Sequence, residues 1–132
     1  MEVTTLDETL DRLGGPPVHL AKIDVEGAEL DVIDGARGTL AANPGIVLIV
    51  EFLRANPLHF GHTVEDLEAR LRELGFQLFT LTPSGLGRYA PVGEPAVNVV
   101  AVRRLTTLLD GLPEPDAARM LRALAAGPCV TS

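Results

Sequence analysis

Apolar residues recur along this chain in two alternating rhythms. Leu6, Leu10 and Leu13 stand at helical spacing. They follow Thr5-Leu-Asp-Glu8, which has the spacing of a capping box, and Gly14-Gly15-Pro16-Pro17 ends the run. Val18–Val25 reads as a strand. Residues 28–41 return to the helical period, with Leu30, Ile33 and Leu40 on one face. Asn43-Pro44-Gly45 is a turn, and Ile46–Phe52 is a strand that is apolar on both faces apart from Glu51. Thr63-Val-Glu-Asp66 predicts a second cap, Leu67, Leu71 and Leu74 an amphipathic helix, and Gly75 its end. Phe76–Leu81 and Val97–Val102 are two further strands. The stretch Thr82–Ala96, with Pro83, Pro91 and Pro95, reads as a loop, and a helical tail is expected from about Leu105 to Ala126.

This order predicts an α/β domain. Strands that alternate with helices imply right-handed crossovers and a mostly parallel sheet. No helix separates the last two strands, so they are expected to be antiparallel neighbours. Thr5–Gly14 and Thr63–Gly75 are similar capped helices, but two copies do not make a solenoid.

Composition narrows the function. A chain of 132 residues that is 46% hydrophobic supports one packed domain. Aromatic residues make up 4%, and the formal net charge is −7. Both weigh against nucleic-acid binding, which needs stacking platforms or a basic patch. Arg103-Arg104 is the one adjacent basic pair. The single cysteine, Cys129, excludes an internal disulfide and fits a cytoplasmic location. The N-terminus carries no signal-peptide pattern, and the longest strongly apolar run, Ile46–Val50, is far short of the roughly 20 residues that span a membrane.

The candidate chemistry sits at strand ends. In Lys22-Ile-Asp-Val-Glu-Gly-Ala-Glu-Leu30, Asp24 and Glu26 lie at the C-terminal end of the first strand, and Glu51 lies at that end of the second. Ligands of open α/β sheets bind outside such ends. If the strands are adjacent and parallel, about 4.8 Å apart, Asp24 and Glu51 face one crevice. There they could bind a cation, share a proton or act as a general base. The same residues also suit plain structure: acids favour a helix N-terminus, Gly27 suits a tight turn, and Lys22 stands two residues from Asp24, on the same face. His59 and His62 form H-x-x-H with Glu65 three residues on, in a loop beside the crevice, where they are candidates to line the substrate site. The spacing is a weak metal signal, and no metal site is assigned. His19 is expected to be a packed core histidine, and Arg88 and Tyr89 to lie in the long loop, where they could touch substrate.

KIDVEGAELDVIDGA, preceded by TLDETL and followed by IVLIVEF, resembles the FkbM-type methyltransferases. Lys22, Asp24, Glu26, Gly27, Glu29, Leu30, Gly35 and Ala36 stand where the motif has them, and VNVVAV around Asn98 is similar to the family's closing strand. The resemblance spans residues 1–103 and leaves 104–132 as a helical extension. It implies a class I, Rossmann-like fold with S-adenosyl-L-methionine as cofactor and a small-molecule hydroxyl, on a sugar or polyketide, as methyl acceptor. Val18–Val25, Ile46–Phe52, Phe76–Leu81 and Val97–Val102 would then be the fold's fourth to seventh strands, the seventh antiparallel between the fifth and sixth. The site reading of Asp24 gains weight, because the fourth strand's end borders the transferred methyl in this class. Asp24 would be base or cation ligand, Glu26 would shape the turn, and Glu51 would orient Asp24.

The family's cofactor site, on the first three strands, finds no counterpart. Gly85-Leu-Gly-Arg-Tyr-Ala90 fits G-x-G-x-x-A, but Pro91, Gly93 and Pro95 follow where a helix must open. The cofactor-binding residues are therefore unassigned, and the chain is expected to be the C-terminal half of a transferase domain, inactive alone. Two other readings stay open. One is a non-catalytic interaction module that self-associates or pairs through an exposed sheet edge. The other is a small metal-dependent hydrolase using Asp24, Glu51 and the histidines.

Overall fold

The computed structural model of the protein describes residues 2–54, 61–83, 85–91 and 93–105. The elements run α1 (Leu6–Arg12), β1 (Leu20–Ile23), α2 (Glu29–Asp34), α3 (Arg37–Ala42), β2 (Val47–Leu53), α4 (Val64–Glu73), β3 (Gln77–Thr82), β4 (Gly85–Arg88) and β5 (Ala96–Val102). The fold is α/β, with a five-stranded sheet in the order β1-β2-β5-β3-β4.

The sheet is mixed, which corrects the mostly parallel expectation. β1 and β2 are parallel, whereas β2–β5, β3–β5 and β3–β4 are antiparallel. The physical reason lies in the connections. A parallel neighbour needs a crossover long enough to return the chain to the same end. α2 and α3 supply one between β1 and β2, but no helix lies between β3, β4 and β5. β5 takes the central antiparallel place expected for Val97–Val102. The Thr82–Ala96 stretch is not all loop: β4 folds back on β3, pairing Leu81 with Leu86 and Thr82 with Gly85.

Both capping boxes form. Thr5 accepts from the Glu8 N–H while the Glu8 carboxylate accepts from the Thr5 N–H, and Thr63 and Asp66 repeat the arrangement. The expected single helix over 28–41 is instead two short ones, broken at Gly35-Ala36. The apolar period survives the break: Leu30, Ile33 and Leu40 all enter one core with Leu48, Val50, Phe52, Leu67, Leu71 and Val99. α2, α3 and α4 thus share one face of the sheet. Alternation along β2 sends Val47, Ile49 and Glu51 to the other face, where Phe79, Leu86, Val100 and Val102 form a smaller cluster flanked by Leu105.

α1 has no fully buried residue; half-buried Leu6 packs against the core, and polar contacts complete the attachment. The Asp7 carboxylate accepts from the Gly38 N–H at 2.8 Å, the Thr39 N–H at 2.7 Å and the Thr39 hydroxyl at 2.6 Å. It thereby caps α3, whose own N-cap, Ala36, provides no side-chain bond. At the far end of the sheet Arg103 donates to the carbonyls of Leu40 and Asn43 and lies 4.6 Å over the Phe76 ring. His19 is exposed and not a core histidine; only its carbonyl is used, accepting from Val47 N–H. No helix among the described residues is long and apolar enough to cross a membrane. Cys129 and the expected helical tail, from residue 106 on, lie outside the described residues.

Candidate active site

β1 stops at Ile23 because the chain turns sharply after it. Glu26 has φ of 53° and Gly27 φ of 112°, and Glu26 is the only non-glycine residue in the left-handed region among those described. Such a conformation costs an L-residue about 1–2 kcal/mol. Glu29 holds the turn from inside. Its side chain accepts from the Val25 N–H at 3.1 Å and from the Gly27 N–H at 3.0 and 3.2 Å, and the residue is only 3% exposed. In sequence Glu29 stands out only as a motif position; the signal available is its place two residues beyond Gly27.

The β1–β2 register pairs Ile23 with Val50, which brings Asp24 level with Glu51 one residue further on. Glu51 is in turn paired with Asn98 of β5. Lys22 Nζ donates to Asp24 Oδ2 at 3.0 Å. The two carboxyl groups interact directly, and their environments push them apart. Asp24 is held below the usual carboxylate range by its hydrogen bond with Lys22, then by the Lys22 charge, with a bond from Glu51 adding to both. Glu51 is pushed above it, first by burial, then by the Asp24 charge and hydrogen bond and by Glu29, with Lys22 opposing. Of the two, Glu51 is the carboxyl that holds a proton more tightly.

Glu51 opens onto a groove of about 390 Å³ lined by Leu81, Glu94, Ala96, Val97 and Asn98. Glu26 is exposed at the turn, two residues after Asp24. His62 is placed differently: its Nε2 lies 3.0 Å from Asp31 of α2, and it lines a narrow cleft of about 20 Å³ with Gly27, Glu29 and Leu53. His59 lies outside the described residues. Tyr89 lies just past the end of β4, with its side chain packed inward. It is 7% exposed, edge-on to Phe52 with centroids 5.2 Å apart, and its hydroxyl accepts from Arg54 at 3.3 Å. Arg88 ends β4. Among the described residues no group of three or more His, Cys, Asp or Glu side chains is placed to hold a metal ion.

The model of the methyltransferase FkbM domain matches residues 1–78. The chain belongs to this family. The match takes in Asp24, Glu26, Glu29 and Glu51 and ends within β3. No curated protein and no solved structure matches the chain.

Proposed function

We propose that this FkbM-family chain forms the acceptor side of a Rossmann-like, S-adenosylmethionine-dependent O-methyltransferase site. The observation that carries this reading is the Asp24–Glu51 pair, set at the C-terminal ends of parallel strands beside an open groove. When bound, the cofactor supplies an electrophilic methyl group on a sulfonium cation. Carboxylates at this rim suit the cationic end of that group. The Gly85–Ala90 stretch does not supply a phosphate-type loop: it forms a hairpin strand and a buried tyrosine, so the described residues carry no binding loop for the rest of the cofactor.

Within this reading a small-molecule hydroxyl enters the groove against Glu51, Asn98 and Leu81. Glu51 is the better proton acceptor once ionised, because its surroundings raise its proton affinity, while Asp24 is the weaker base and supplies fixed negative charge. Glu26 borders the same turn as a site residue, and His59 and His62 remain candidates for the acceptor's far side. The acidic chain and single cysteine suit a cytoplasmic enzyme without nucleic-acid or membrane partners.

The test is methyl-transfer turnover to a hydroxyl acceptor by protein that carries this domain. Glu51→Gln is expected to lower kcat by about 100-fold, the low end of general-base contributions, and Asp24→Asn to lower it as well with folding intact. Unchanged turnover in both variants overturns the site. Calorimetric titration of residues 1–132 with S-adenosylhomocysteine should show no low-micromolar binding; such binding would show that this chain holds the main cofactor site.

One observation favours a second reading, a pairing module. Among the described residues β1 has a neighbour on one side only, and its Leu20 is 60% exposed. An open strand edge is a template for another strand. Sedimentation equilibrium decides: a monomer at high micromolar concentration removes self-association.

A further inference from the structure

Glu29 is the one buried acid among the described residues, and it is spent wholly on main-chain N–H groups of the turn that carries the site. The turn has little else to hold it. Its one other main-chain closure is a long bond from the Ala28 N–H to the Val25 carbonyl at 3.5 Å. Ala28, the residue before α2, offers no side-chain cap. Gly27 continues the turn, and Glu26 has positive φ, which a non-glycine residue keeps only when its surroundings over-determine it. The Glu29 carboxylate does so by drawing the N–H groups of Val25 and Gly27 to one point, on either side of Glu26.

We infer that Glu29 is the positioning residue of the site: it sets the Asp24–Gly27 turn so that the Asp24 carboxyl meets Glu51 and Glu26 stands on the rim. This rests on the transferase reading only for the use made of those carboxyls. The placement itself is a property of the chain. The hydrogen bonds of Glu29 go to Val25 and Gly27, neither of which lines the acceptor-side groove, and only its charge reaches Glu51.

The distinction between charge and geometry is built into the contact. Glu29 Oε1 alone lies within hydrogen-bond distance of both N–H groups, at 3.1 and 3.2 Å. Glu29→Gln therefore keeps an acceptor for both and removes the charge. Glu29→Ala removes the acceptor.

The experiment is NMR on the 132-residue chain, without cofactor or substrate. Two readouts are followed: amide exchange at Val25 and Gly27, and the side-chain carboxyl titrations of Asp24 and Glu51. The groups that face Glu51 and enter its titration are Asp24, Glu29 and Lys22. In Glu29→Ala, exchange at the two amides should rise about tenfold, the scale of one lost hydrogen bond to a charged group. The Asp24 and Glu51 midpoints should also move toward each other. In Glu29→Gln the amides should stay protected and the two carboxyls should still titrate apart. A residue that only stabilised the fold would lower the melting temperature and narrow the separation of midpoints no further than Glu29→Gln does, since both variants remove the same charge. A folded Glu29→Ala chain with the separation intact overturns the inference. Should Glu29→Ala not fold, Glu29→Gln decides: protected amides with separated titrations support it, and exchanging amides overturn it. Turnover enters neither readout, so failure of the transferase reading would leave this result standing.

Discussion

Removing the Asp7 carboxylate should detach α1 from α3 at a cost that follows from three contacts. Asp7→Ala strips the cap from two α3 amides, Gly38 and Thr39, and strands the Thr39 hydroxyl. Loss of a helix cap costs about 1 kcal/mol. Leaving a buried hydroxyl without its partner costs about 1–2 kcal/mol more, and Thr39 is 7% exposed. The sum, about 2–3 kcal/mol, corresponds to a fall in melting temperature of roughly 8–15 °C for a domain of this size. Gly38 is part of the same joint: a Cβ there would stand 3.1 Å from Asp7 Oδ2, so only glycine lets the carboxylate approach this closely.

The pH dependence gives an independent check. Burial raises the proton affinity of Asp7, but the bonds from the Thr39 hydroxyl, Thr39 N–H and Gly38 N–H together outweigh it, and the net shift is downward. A carboxyl with a lowered folded-state pKa stabilises the fold above its unfolded value, about 3.9, and that contribution fades as pH falls through the folded value. Urea titrations of wild type and Asp7→Ala should therefore differ most at pH 7, and the difference should shrink as pH falls below the unfolded value. A difference under about 0.5 kcal/mol at pH 7, within the scatter of ordinary surface substitutions, would refute the reasoning. So would a difference that does not shrink in acid.

Three further outcomes follow from other contacts. Arg103→Lys should lower stability by about 1–2 kcal/mol in urea titration, because an ammonium lacks the planar guanidinium face that stacks on Phe76 while Arg103 Nη2 donates to two carbonyls. Glu26→Gly should raise stability by about 1 kcal/mol, since glycine adopts φ of 53° without strain; a loss measured by thermal melting would show that the Glu26 side chain holds the turn. Glu51→Gln should gain stability over wild type as pH rises from 4 to 8. The raised folded-state pKa of Glu51 means that its contribution is present below the unfolded value and is lost as pH climbs through the folded one. Parallel melting curves at both pH values would remove that electrostatic assignment.

What the sequence discloses depends on the range of the interaction. The capping boxes at Thr5–Glu8 and Thr63–Asp66 are legible because every partner lies within three residues. Asp24 facing Glu51 is legible because two strand ends and one pairing rule suffice. The break between α2 and α3 is hidden, since Leu30, Ile33 and Leu40 keep the helical period across Gly35-Ala36. β4 is hidden because Gly85 and Gly87, between Pro83 and Pro91, carry the composition of a loop; the cross-strand partner Leu81 makes Leu86 a strand residue. Tyr89 follows from the same fold-back, which turns it onto Phe52. The Asp7 cap spans 31 and 32 residues and leaves no local mark. Glu29 was visible as a motif residue, but helix-start acids are common, and only its burial separates it from the rest.

The rim of the site is costly to the fold in ways that neutral residues would avoid. Glu26 keeps a side chain in a conformation that glycine would adopt freely. Glu51 and Asp24 hold two carboxyls together where an amide would relieve the repulsion. Glu29 buries an acid to maintain both. A turn with a purely mechanical role has no use for the first two features, since each is removable by one substitution that the backbone tolerates. The two accounts therefore diverge on a joint measurement. If the rim is only structural, Glu26→Gly and Glu51→Gln stabilise the protein and leave methyl transfer by the complete enzyme unchanged. If it is a site, the same two substitutions stabilise and inactivate together, and their stability gains, measured separately, should add only if the turn and the carboxyl pair are independent. Because Glu29 links the turn to the pair, we expect the double variant to depart from additivity by more than about 0.5 kcal/mol.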